Sequence, residues 1–162
     1  MKLFAVHPGC LMYSKIYLRL EPLGLELVAA SARKAGHEVQ IIDLQTETHR
    51  DYFRLLEHWR PNAIAFSCNY LANVPEILDL AKLSRKLLPE CLIMIGGHSA
   101  SFTAEELLEH GEGAVDCLLK GEGEPMIARS WRQPGTIGKI CTSSLEFAPG
   151  TAMAHARCLF KV

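Results

Sequence analysis

Five short apolar runs punctuate the chain: Leu3–Val6, Val39–Asp43, Ala63–Ser67, Leu92–Ile95 and Val115–Leu119. Each is too short for a helix and rich in Val, Ile, Leu or Phe. Continuous rather than alternating apolar runs mark strands buried on both faces of a parallel sheet. Helical patterns fill the gaps between them. The first starts near Pro22, a residue suited to a first turn, and stops at Gly36. The second covers about Arg50 to Trp59 and is closed by Pro61. The third runs from about Pro75 to Leu88, with Ile77, Leu80, Ala81, Ser84, Leu87 and Leu88 on one face. The fourth is expected to open on a capping box, Thr103-Ala104-Glu105-Glu106, and to end near Gly111.

Strand and helix in repeated alternation predict an α/β fold of three layers, a five-stranded parallel sheet with helices on both faces. A flavodoxin-like strand order 2-1-3-4-5 is the choice made here, and order 3-2-1-4-5 satisfies the same pattern. In either order ligands bind at the carboxyl ends of the strands, near the point where the order reverses. For 2-1-3-4-5 that selects the loops after strands 1, 3 and 4. From about Met126 the sequence loses its period, and Gly135, Gly138, Pro149 and Gly150 interrupt it. The expected organisation is therefore a domain over 1–125 and a tail over 126–162. The tail is irregular or carries a short helix at Ala152 to Phe160.

Composition narrows the class. A chain of 162 residues with 49% apolar and 22% charged residues can bury the core of one domain. Its net charge of −1 lacks the basic surplus of a nucleic-acid binder. No apolar run approaches the roughly 18 residues that cross a membrane, and the apolar stretch at the N-terminus is too short for a signal peptide. Cys10, Cys68, Cys91, Cys117, Cys141 and Cys158 form no C-x-x-C pair, and the C-x3-C-x2-C triplet that holds a radical-type iron–sulfur cluster is absent. Cys91 and Cys117 fall in strand-like runs and read as small buried hydrophobes. A reduced, cytoplasmic protein fits this usage.

Candidate chemistry gathers at the strand ends. Strand 1 is followed by His7-Pro8-Gly9-Cys10 and a long loop to Pro22, well beyond the usual median of about 4–6 residues. Strand 3 is followed by Ser67-Cys68-Asn69-Tyr70, strand 4 by Gly96-Gly97-His98-Ser99, and strand 5 by Gly121-Glu122-Gly123-Glu124. Taken singly, paired glycines make tight turns, histidines pack, and loop glutamates are solvated. Together, four small or Gly-rich ends admit a large ligand across the top of the sheet. The first turn has no G-x-G-x-x-G, no Walker lysine loop is present, acidic residues do not follow strand 1, and there is no G-x-S-x-G elbow.

These segments resemble the cobalamin-binding domain at the N-terminus of B12-dependent radical SAM proteins. The matching stretches are Glu21-Pro22-Leu23-Gly24-Leu25, Arg33 to Val39 leading to Ile42-Asp43, Pro61 to Ser67, Gly96-Gly97-His98 and Lys120 to Glu124. Within that superfamily, Phe66 to Glu76 and Gly96 to Phe102 resemble the hopanoid C-3 methylases. The resemblance implies cobalamin over the strand ends. It assigns cofactor contacts to His7, Pro8, Leu23, Gly24, Ser67, Cys68, Asn69, Tyr70, Gly96, Gly97, His98, Ser99, Gly121, Glu122, Gly123 and Glu124. The nucleotide tail is expected beside the sheet, admitted by Gly96-Gly97. The D-x-H-x-x-G motif that supplies a cobalt-binding histidine in methionine-synthase-type domains is absent. Cobalt is therefore expected to be held through the corrin alone, with Asn69 or Tyr70 under its lower face.

Relatives in this superfamily continue into a radical SAM domain bearing the cysteine triplet, a 4Fe-4S cluster and S-adenosylmethionine. In the whole enzyme methylcobalamin gives its methyl group to a substrate radical. The expectation for this chain alone is binding without catalysis, with the radical SAM part supplied by another domain or subunit. The tail beyond Met126 departs from the family's continuation. Two other readings share the fold: a binding or regulatory domain for another ligand, such as a flavin or nucleotide, and a truncated remnant that no longer functions.

Overall fold

The computed structural model describes residues 1–9, 21–125, 127 and 139–142, the last four as backbone only. Six parallel strands form one sheet in the order β2-β1-β3-β4-β5-β6. They are β1 (Lys2–His7), β2 (Glu38–Asp43), β3 (Ala63–Ser67), β4 (Leu92–Gly96), β5 (Cys117–Lys120) and β6 (Lys139–Thr142). The helices are α1 (Leu23–Lys34), α2 (His49–Trp59), α3 (Val74–Leu87), α4 (His98–Phe102) and α5 (Ala104–His110). The expected order 2-1-3-4-5 is observed. Strand β6 extends it past β5, in a stretch whose aperiodic sequence gave no sign of a strand. The segment Ala152 to Phe160 lies outside the described residues.

The strands are buried on both faces, yet the two faces differ. Phe4, Val6, Ile64, Phe66, Ile93 and Ile95 point to the side carrying α2, α3 and α5. There Tyr52 of α2 stacks on Phe4 at 5.4 Å between ring centroids, a geometry that adds to its burial. Its hydroxyl shares a 2.6 Å hydrogen bond with Ser84 of α3, so a fully buried polar group is satisfied. The opposite face presents Leu3, Ala63, Ala65, Met94 and Cys117 toward Ala32 and Val28 of α1. Small side chains let α1 sit close to the sheet. Cys91 and Cys117 are buried in the core, as expected of small hydrophobes. Burial pushes the Cys91 thiol up to about 12.

Helix starts differ from expectation in one respect. Thr103 makes no side-chain cap. Its hydroxyl donates instead to the Ser99 carbonyl at 3.0 Å, because α4 ends directly against α5 and offers that acceptor. The capping box of this fold stands at the start of α2. The Thr48 hydroxyl accepts from the Asp51 amide, and the Asp51 carboxylate accepts from the Thr48 amide.

A buried ion pair fastens α3 to the sheet. The Arg85 guanidinium pairs with Asp116, just before β5. It also donates to the carbonyls of Pro89 at 2.6 Å and Cys91 at 2.8 Å. The same Asp116 carboxylate accepts from the Ile93 amide of β4 at 2.7 Å.

Candidate ligand-binding site

The chain reverses direction across the sheet between β1 and β3, so the loops beyond these strands part and leave a crevice at their carboxyl ends. Beside it, toward α1, lies a cavity of about 160 Å³. Missing side chains create it. Gly24 stands at the start of α1, Ala65 on β3, Gly96 and Gly97 at the end of β4, and Gly121 and Gly123 beyond β5. A Cβ on Gly24 would meet nothing within 4 Å. The apolar wall is completed by Leu25 and Val28 of α1 and Leu119 of β5, while Ser67 and Asn69 bring polar groups to it.

Hydrogen bonds hold the cavity's rim. The Cys68 amide donates to the Gly96 carbonyl at 2.6 Å, and the Cys68 carbonyl accepts from the Ser99 amide at 3.0 Å. The Ser99 hydroxyl donates to the Asn69 carbonyl at 2.9 Å, and the Asn69 amide donates to the Ser67 hydroxyl at 3.2 Å. The Gly121 amide donates to the Ser101 hydroxyl, and the Ser31 hydroxyl of α1 to the Glu124 carbonyl at 2.8 Å. The loops beyond β3, β4 and β5 and helix α1 are thus cross-braced around one opening.

Gly97 is fixed by its surroundings. Its φ is +108°, and a Cβ there would come within 2.8 Å of both the Asn69 Oδ1 and the Cys68 carbonyl oxygen. Gly97→Ala is therefore expected to destabilise the domain by about 1–3 kcal/mol from backbone strain alone. Urea unfolding of the variant beside the parent checks this, and an unchanged midpoint would contradict it.

Nine of the residues singled out from sequence meet at this cavity: Gly24, Ser67, Asn69, Gly96, Gly97, Gly121, Glu122, Gly123 and Glu124. The others lie elsewhere. Leu23 and Tyr70 are exposed at 61% and 46%, at the top of the sheet but not in the cavity wall. Ser99 acts through its bond to Asn69, and exposed His98 rests its ring edge-on against Phe102. The Cys68 side chain turns into the core, where burial pushes its thiol up to about 11. His7 and Pro8 are buried at the end of β1. Burial lowers the His7 pKa, against the opposing pull of the Asp43 and Glu76 carboxylates, so the imidazole is neutral at neutral pH. Its Nδ1 is buried with no hydrogen-bond partner among the described residues. Leu25, Val28, Ala65, Phe66 and Leu119 escaped sequence reasoning because they look like ordinary core positions. The one available signal was the alternation of small and bulky residues along β3, which leaves Ala63 and Ala65 on the face toward α1.

A doubly wound sheet of this order, with a glycine-lined cavity beside its switch point, defines a flavodoxin-like ligand-binding domain. Family comparison specifies it further: the model described as B12 binding domain matches residues 9–129, and the chain belongs to that family. It is 56% identical over 143 residues to the hopanoid C-3 methylase of Methylococcus capsulatus, spanning 86% of this chain and 28% of the methylase. It is 25% identical over 122 residues to the cytidylyl-2-hydroxyethylphosphonate methyltransferase of Streptomyces wedmorensis, covering 64% of this chain and 22% of that protein. The chain therefore spans under a third of the curated relatives it matches.

Two solved structures share the fold. A cobalamin-binding protein from Desulfitobacterium hafniense superposes with a TM-score of 0.60 at 14% identity, over 83% of this chain and 58% of that one. The cobalamin-dependent S-adenosylmethionine radical enzyme OxsB, with aqua-cobalamin and S-adenosylmethionine bound, gives 0.64 at 22% identity, over 82% of this chain and 19% of OxsB. The similarity to the hopanoid methylase covers more of the chain than residues 1–125 can supply, so it reaches into the segment after Met126.

Proposed function

We propose that this chain is the cobalamin-holding module of a B12-dependent radical S-adenosylmethionine methyltransferase. The ends of β1, β3 and β4 would carry the corrin ring, and the cavity behind Gly97 would take the nucleotide tail. The observation that carries this reading is the cavity itself. Small-molecule sites that enclose their ligand measure roughly 300–1,000 Å³, and this one is about 160 Å³. It can take one flat arm of a large ligand while the rest lies outside on the strand ends. The residues present fit such an arm. Glycines and Ala65 leave the space open, Val28 and Leu119 offer apolar walls, and Ser67 and Asn69 supply a hydroxyl and an amide.

Bound cobalamin would supply methyl-transfer chemistry, and the chain's own residues would bind and orient it. The sequence contains no D-x-H-x-x-G, so the proposal includes no cobalt-binding histidine from that motif. Asn69 or Tyr70 would cover the lower face of the ring. Similarity to the hopanoid methylase supports a polycyclic lipid as the methyl acceptor of the whole protein. A radical SAM domain or subunit would bring the cluster and S-adenosylmethionine. The buried thiols of Cys68 and Cys91 support a reducing, cytoplasmic setting. No helix among the described residues is long and apolar enough to cross a membrane.

The test is loading with hydroxocobalamin followed by gel filtration and a visible spectrum. One corrinoid per chain is expected to co-elute, with a Kd on the order of micromolar or tighter. A folded chain that retains no corrinoid at concentrations well above micromolar would sink the proposal. A yellow, fluorescent flavin bound instead would support the same fold with another ligand.

A further inference from the structure

We infer that Asn73 and Glu76 are positioning residues for the cobalamin site, clamping the end of β1 on which the corrin would rest. The inference builds on the cobalamin reading above. Asn73 immediately precedes α3, and Glu76 lies in its first turn. The Gly9 amide donates to Glu76 Oε2 at 2.8 Å, and the Gly9 carbonyl accepts from the Asn73 side-chain amide at 3.0 Å. Both polar groups of one peptide residue are thus taken up by one helix start. The second carboxylate oxygen of Glu76 meets His49 Nε2 of α2 at 2.6 Å, which braces it from the far side.

The clamp reaches out of the helix rather than into it. Asn73 ends a 3-10 turn, Leu71–Asn73, that runs directly into α3, and Pro75 offers no amide, so its side chain makes no cap to α3. Its amide is directed away from the helix, to Gly9. Gly9 is also matched to the clamp, since a Cβ there would sit 3.0 Å from Glu76 Oε1 and push the carboxylate away. Gly9 lies two positions beyond His7, just past the end of the strand that borders the switch point, where the fold places its ligand.

The test compares Glu76→Ala, Glu76→Gln and Asn73→Ala in the full chain, with hydroxocobalamin as the probe. Glu76→Ala and Asn73→Ala are each expected to raise the Kd on the order of 10-fold. Glu76→Gln should stay within about 3-fold of the parent, because its amide oxygen still accepts from Gly9. Hydrogen exchange at the Gly9 amide supplies a second readout, expected to be on the order of 10-fold faster in Glu76→Ala and near parental in Glu76→Gln. If Glu76→Ala fails to fold, Asn73→Ala against Glu76→Gln carries the same contrast. Parental corrinoid affinity in Asn73→Ala and Glu76→Ala, with Gly9 exchange accelerated, would show a clamp without influence on the cofactor and overturn the inference. Failure of the unmutated chain to bind corrinoid is a separate result, which overturns the cobalamin reading and this inference with it.

Discussion

Gly24→Trp is expected to weaken cobalamin binding by on the order of 100-fold or more, equivalent to about 2.7 kcal/mol, while the domain stays folded. Gly24 lines the cavity, and a Cβ at this position would meet nothing within 4 Å. The bulk of an indole therefore enters the space meant for the ligand, and no neighbouring side chain has to move first. Gly24 is also the second residue of α1. Glycine within a helix is less favourable than alanine by roughly 0.5–1 kcal/mol. Gly24→Ala should accordingly raise stability by about that much, with cobalamin affinity close to the parent's. The pair separates blockage from unfolding. Gly97 is the poorer place to block the cavity, since its positive φ and its contacts with Cys68 and Asn69 would strain the turn under any side chain. Equal cobalamin affinity in Gly24→Trp and the parent would remove the tail from this cavity.

The largest effect on stability is expected at Asp116. Asp116→Ala should cost about 3–5 kcal/mol, the usual consequence of stranding one half of a buried ion pair. The Arg85 side chain is 24% exposed and Asp116 only 8%, so the guanidinium left behind has little water to turn to. The substitution also orphans the Ile93 amide inside the sheet, where Asp116 is its acceptor. An unmet buried donor adds its own penalty. Thermal unfolding should shift down by on the order of 10–20 °C for a domain of this size. Asp116→Asn retains an acceptor for Ile93 and should lose less. The site lies far from the cavity in the sequence of contacts, through α3 and the start of β5, so corrinoid affinity of the folded fraction should be unchanged. A shift of under a few degrees for Asp116→Ala would mean that the pair contributes little.

Most of the scaffold could be read from residues alone, and the reason is physical. A strand buried on both faces must be apolar throughout, so Leu3–Val6 and Ala63–Ser67 announced themselves. Pro22 and Gly36 bracket α1 because one suits a helix start and the other sits at φ +85° just beyond its end. The capping box misled because a motif specifies what Thr103 can do, not what its neighbours offer. The turn of α4 placed the Ser99 carbonyl within reach first. The pattern at Thr48 and Asp51 was equally visible but has Asp in place of the usual Glu or Gln. Strand β6 pairs with β5 in a stretch with no hydrophobic period to betray it.

The site was legible where it depends on glycine and small polar residues, at Gly24, Ser67, Asn69, Gly96, Gly97 and the loop after β5. It was not legible where it depends on core-like side chains. Val28 and Leu119 line the cavity only because α1 and the ends of β3 to β5 enclose a gap there, a property of the packing of layers rather than of either residue. The clamp on Gly9 was hidden for a related reason. It joins residues 64 and 67 positions apart, and nothing in the local sequence of Asn73 or Glu76 marks Gly9 as their partner.

The central claim is that this chain holds cobalamin with its nucleotide tail in the cavity beside Gly24 and Gly97. Parallel titrations of the chain with hydroxocobalamin and with cobinamide, the corrinoid that lacks the tail, test it most directly. The account predicts cobalamin bound on the order of 10-fold or more tighter than cobinamide, a difference that disappears in Gly24→Trp. Equal affinity for the two corrinoids would contradict the placement of the tail, and binding of neither by a folded chain would contradict the claim as a whole.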